Sequence, residues 1–88
     1  MTEWHSERVE RLAEQIVGYL AGNPHAADTA AGIRNWWLSG ISHLVSHGDV
    51  ERAIFVLLER GLLECRTLAD GTQIYARAPS GVRPNTPD

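Results

Sequence analysis

The chain has 88 residues, enough for one small domain and too few for two. Hydrophobic residues make up 43% and charged residues 22%, which excludes a chain too polar to build a core. Eleven acidic residues stand against eight basic ones, a net charge of −3, which argues against a protein that holds nucleic acid through bulk charge.

All eight basic residues are arginine, a bias read as composition and not as function. A domain of this size leaves little room for a deep enzyme pocket or a small-molecule substrate. The single cysteine, Cys65, can form no intramolecular disulfide. The start, Met1-Thr2-Glu3-Trp4-His5, is polar and acidic where a secretory signal would be basic and then apolar. No apolar run approaches the length of a membrane span. A cytoplasmic protein without membrane contact is expected.

The first helix is predicted from about Thr2 to Ala21. Val9, Leu12, Ala13, Ile16, Val17 and Leu20 share one face at helical spacing, and Glu3, Glu7, Arg8, Glu10, Arg11 and Glu14 cover the other. Gly22-Asn23-Pro24 ends it, because glycine tolerates a positive φ and proline cannot continue a helix. A second helix is expected from Thr29, with Asp28 as its N-cap and His25 nearby in a capping role. Ala30, Ile33 and Trp37 fall on one side of it. Trp36 lies about 100° away, so the two indoles cannot enter the same core. Gly32 weakens this helix by about 1 kcal/mol relative to alanine, which points to close packing there.

Ser39 to Gly48 reads as a turn plus a short helical piece or a short strand. A third helix is predicted from about Asp49, as its cap, to Arg60. Val50, Ala53, Ile54, Leu57 and Leu58 form its buried stripe, and Gly61 stops it. Leu62 to Leu68 reads as a strand, Asp70-Gly71 as a hairpin turn, and Thr72 to Arg77 as the return strand. Alternation along the first strand turns Cys65 inward. Residues 79–88, with three of the four prolines, read as a disordered tail on a domain of residues 1–78.

Ala53-Ile54-x-x-Leu57-x-x-x-Gly61-Leu62-Leu63 resembles the third helix of winged helix-turn-helix domains running into their first wing strand. Asp70-Gly71 and Ile74-Tyr75 resemble the wing tip and return strand, and the similarity covers residues 6 to 78. It implies a mainly α protein with a small β-hairpin (α+β): three helices, then a two-stranded antiparallel wing. It also implies a bacterial-type module that contacts a macromolecule through the third helix and the wing. The span from Leu38 to Asp49 is longer than a tight helix-turn-helix connection.

With Val50 at the centre of the buried stripe, the third helix presents Glu51, Arg52, Phe55, Val56, Glu59 and Arg60 outward. Two arginines cancel two glutamates, and two apolar side chains stand where a DNA reader offers hydrogen bonds. That face suits a protein partner, or a second copy of the chain, with Trp36, Arg52, Phe55, Val56 and Glu59 as contacts. The competing expectation is a small DNA-binding regulator, with Arg52, Arg60, Arg66 and Arg77 on phosphates and Arg83 in the tail. Core packing competes for Phe55, Trp36 and Trp4, and solvated surface for the wing arginines.

No catalytic constellation, phosphate-cradling loop or cofactor site emerges. His43 and His47 are four apart, as paired metal ligands on a helix are. They lack further ligands, and Gly48 is read as breaking the helix after His47, so surface histidines and no metal are expected. The expectation is a non-catalytic interaction module.

Overall fold

The fold comes from a computed structural model that describes residues 7–79. Three α-helices and three strands appear among those residues, in the order α1 (Glu7–Gly22), β1 (Ala27–Asp28), α2 (Ala30–Gly32), α3 (His47–Glu59), β2 (Leu63–Thr67) and β3 (Gln73–Arg77). The class is α+β, with one antiparallel sheet ordered β1-β3-β2. Two strands were expected and three are present. β1 pairs Ala27 with Ala76 and Asp28 with Tyr75, a two-residue match too short to leave any alternation in the sequence. Residues 79–88 fall, but for Pro79, outside the described residues, as does Trp4.

α1 buries Val9, Leu12, Ala13, Ile16 and Leu20, the predicted stripe less one residue. Val17 lies at the edge of that stripe and is 38% exposed. After α1, two backbone turns (Asn23 N–H to Leu20 O and Ala26 N–H to Asn23 O) deliver the chain to β1.

The cap of α2 is Thr29 and not Asp28: the Thr29 hydroxyl accepts from the Gly32 N–H at 3.0 Å. Asp28 sits one residue earlier and accepts from the Thr29 N–H at 2.8 Å. Its carboxylate lies directly over the Cα of Gly32, where a Cβ would collide with it. The expected close packing at Gly32 is this approach. α2 then widens into a π-helical turn over Ile33–Trp37, closed by the Leu38 N–H on the Ile33 carbonyl at 3.0 Å. The wide turn sends Ile33, Trp37 and Leu38 into the core and leaves Trp36 outside. Trp37 stacks on Tyr19 of α1, with ring centroids 4.8 Å apart and planes 12° from parallel.

A 3₁₀ turn (Ser42–Leu44) occupies the long connection. Val45 then drops into the core, and its carbonyl accepts from the Arg34 Nε at 2.7 Å. α3 begins earlier than predicted: Ser46 is its N-cap and accepts from the Asp49 N–H at 3.1 Å. Asp49 is therefore a residue of the first helical turn, where its charge faces the positive end of the helix dipole. Gly48 lies inside α3 and does not break it. His43 and His47 belong to different elements and share no helical face.

Gly61 ends α3 as predicted, at φ +76°. Leu62 N–H bonds the Leu57 carbonyl and Gly61 N–H the Leu58 carbonyl, the paired bonds of a Schellman cap. β2 and β3 pair from Leu63↔Arg77 to Thr67↔Gln73. Gly71, at φ +92°, closes the hairpin turn with its N–H on the Leu68 carbonyl.

Asp70 Oδ1 accepts from the Thr72 N–H at 2.9 Å in that turn. This bond, above all, holds the Asp70 carboxyl below its ordinary value. A depressed carboxyl stabilises the turn above its unfolded pKa and loses that contribution as pH falls through the folded value. Titration followed by NMR should show the Thr72 amide moving with the Asp70 carboxyl at a midpoint below that of an ordinary aspartate. A normal midpoint would show that the turn bond does not persist in solution.

Candidate functional site

The outward face of α3 is set by what covers the rest of it. α1 lies along one flank, joined by two long-range ion pairs. Arg8 reaches Asp49 at 3.3 Å, and Arg60 grips Glu10 through both terminal nitrogens, at 2.8 and 3.2 Å. The flank between those pairs holds Ala53 and Val56, and both are buried. The buried residues of α3 thus run from Val56 round through Ala53 and Leu57 to Ile54, an arc of about 160° at about 100° per residue.

Val56, expected outward as a partner contact, is 1% exposed and belongs to the core. Centring the stripe on Val50 placed it too far from the flank that α1 covers. Arg60 is likewise turned towards α1 and committed to Glu10. What remains outward is Glu51, Arg52, Phe55 and Glu59. Phe55 stands at the middle, 44% exposed. Arg52 leans on Asp49 at 3.4 Å, so the Asp49 carboxylate is shared between two guanidinium groups. Glu51 and Glu59 leave the face with an acidic balance.

The β2–β3 hairpin follows α3 and packs against it. Tyr75 of β3 is half-buried, and burial raises its hydroxyl above the ordinary tyrosine value, with a further contribution from the neighbouring Cys65 and Glu51. Cys65 on β2 is the cross-strand partner of Tyr75. Cys65, expected inward, is exposed. Only Leu63, at the start of β2, is buried, and the strand then runs out beyond the core. Strand alternation assigns a side to Cys65, but among the described residues the buried core stops at Leu63 and does not reach it.

The two arginines of the hairpin differ from one another. Arg66 pairs with Glu64 on its own strand, through Nε at 2.8 Å. Arg77 has no carboxylate partner among the described residues. It lines a shallow cleft with Pro24, His25 and Arg66 on the sheet. Of the four arginines expected on phosphates, Arg52, Arg60 and Arg66 are held by carboxylates and Arg77 is not. Arg83 falls outside the described residues.

Trp36 is 71% exposed on the π-helical turn, so of the two expectations, core packing or a protruding indole, its position fits the second. A second apolar surface was not anticipated. Ala13 and Val17 of α1, Leu57 of α3 and Leu62 after its cap line a groove, with Glu14 and Arg60 at its rim. Its signal in the sequence was the pair Leu62-Leu63, of which alternation lets only one be buried.

Among the described residues, no group of three or more His, Cys, Asp or Glu side chains could hold a metal ion, and no helix is long and apolar enough to cross a membrane. No family model, no curated protein and no solved structure matches this chain.

Proposed function

We propose that this chain is a non-catalytic winged-helix module that binds a protein partner through the exposed face of α3, with Trp36 and the wing as flanking contacts. The order of helices followed by a hairpin, the Schellman stop at Gly61 and the glycine-closed wing turn support that reading of the fold. One observation carries the functional part: α3 turns a half-exposed phenylalanine outward between two glutamates, while its arginines are held by Asp49 and Glu10. Carboxylates facing a phosphate backbone would have to be desolvated against repulsion. An aromatic ringed by mixed charge is a surface that a protein partner can bury.

Trp36→Ala should leave the circular-dichroism melt nearly unchanged, since exposed substitutions shift stability by about 0.5 kcal/mol or less, while Phe55→Ala, at a ring more than half covered, should lower stability by about 1 kcal/mol and leave the transition cooperative. Each should abolish retention of the protein species held by the unaltered chain in an affinity pulldown. Undiminished retention by both variants would remove this face from consideration.

DNA binding is favoured by one observation, the unpaired Arg77 sharing a cleft with Arg66 and His25. Titration with random-sequence duplex at low salt tests it, because the non-specific electrostatic attraction is largest there. Amide shifts at Arg52, Arg60, Arg66 and Arg77 that fade with added salt would support DNA. No shift at low salt would exclude it.

A further inference from the structure

The free edge of the wing carries a proposal of its own, independent of the α3 face. β2 lies at the end of the sheet, with β3 on one side and no strand on the other among the described residues. In an antiparallel pair, alternate residues turn their N–H and C=O groups towards the neighbouring strand. Leu62 accepts from the Ala78 N–H, and Leu68 donates to the Thr72 carbonyl. In the register of this hairpin, Leu62, Glu64, Arg66 and Leu68 therefore face β3 with their backbone groups. Leu63, Cys65 and Thr67 direct theirs away from β3; Leu63 is buried at the start of the strand, while Cys65 and Thr67 are exposed and offer a template for another strand.

We propose that β2 pairs antiparallel with β2 of a second copy of this chain, about a two-fold axis at Cys65. The sequence Leu62-Leu63-Glu64-Cys65-Arg66-Thr67-Leu68 is complementary to its own reverse. Centring the pair on Cys65 sets Glu64 opposite Arg66 of the other copy, and Arg66 opposite its Glu64. The same register sets Leu62 opposite Leu68, which are 46% and 45% exposed and would cover each other. It also brings Cys65 opposite Cys65, an exposed pair that exchanges its N–H···O bonds, with Thr67 on either side opposite the buried start of the other strand at Leu63. A register shifted by one residue would set outward groups against groups already bonded to β3. In a single chain Glu64 and Arg66 hold each other. In the pair the same charges form a network across the two-fold, where opposite charges on facing strands favour this partner and this register.

The test is the mass of the full chain in sedimentation equilibrium from micromolar to millimolar concentration. The unaltered chain should double its mass as concentration rises. Glu64→Arg and Arg66→Glu, both on exposed or half-buried positions, should each remain monomeric, because each puts like charges across the axis twice. Mixing those two variants should restore association as a heterodimer, since every facing pair is then opposite in charge. Cys65→Pro, which removes an N–H that β3 does not use, should also block doubling while circular dichroism stays unchanged. Hydrogen exchange should show the Cys65 and Thr67 amides gaining protection with concentration. A chain that stays monomeric throughout, or charge variants that associate as well as the unaltered chain, would overturn the proposal. Association without protection of those amides would also overturn it, and would leave the α3 reading untouched.

Discussion

Val56→Asp should unfold the protein, while Phe55→Asp should leave it folded. The two positions are neighbours, yet about 100° apart round α3. Val56 packs into the flank that α1 covers and is 1% exposed; Phe55 faces solvent over nearly half its surface. An aspartate at position 56 has no cationic partner within that flank, since Arg8 is spent on Asp49 and Arg60 on Glu10. Burying an uncompensated carboxylate costs several kcal/mol. A domain this small has a total stability of only about 5 kcal/mol to draw on. Far-ultraviolet circular dichroism and urea titration decide the matter. A cooperative melt for the Val56 variant close to that of the unaltered chain would mean that α1 does not cover this flank in solution.

Gly32→Ala should destabilise the protein by about 1–2 kcal/mol, against the usual direction for a helical glycine. Alanine favours a helix by about 1 kcal/mol over glycine. Here its Cβ would occupy the space of the Asp28 carboxylate. Asp28 would have to swing away and give up the Thr29 N–H, leaving a polar group at the start of α2 unsatisfied. The sign should reverse in an Asp28→Ala background, where the space is vacant and the helical preference of alanine acts alone. Urea denaturation of both single variants and the double variant isolates the coupling. Additive effects would show that Asp28 and Gly32 do not meet.

The candidate site was legible in part, and the reason differs by residue. Ile33 and Trp37 fix the buried side of α2, which separates Trp36 from Trp37 but leaves core packing open for Trp36; the π-helical turn puts it outside. Phe55 and Val56 were placed outward on one assumption about the centre of the α3 stripe, and Val56 is in the core while Phe55 is half-exposed. Apolar spacing fixes the phase of a helix only within the width of the stripe, and Val56 lies at its margin. The start of α3 was written in the sequence as Ser46-His47-Gly48-Asp49, a hydroxyl followed three residues on by a carboxylate. Reading Gly48 as a breaker concealed it. The ion pairs that occupy Arg52 and Arg60 were less accessible. Arg60 meets a carboxylate fifty residues earlier in the chain, and no spacing rule connects Glu10 to it.

The sequence by itself determined the features that depend on neighbours a few residues away. These are the amphipathic side of α1 and its end near Gly22, the glycine stop after α3, and a hairpin turning at Asp70-Gly71. Backbone preference and apolar periodicity act over one or two turns, so they can be read locally. Only the tertiary structure decided what lies over each flank: α1 along the flank that holds Val56, a core that stops short of Cys65 among the described residues, the Asp28 carboxylate over Gly32, and a two-residue strand against β3. Those outcomes depend on which surfaces meet when the chain compacts. Burial and charge pairing join groups far apart in sequence, and no local pattern encodes them.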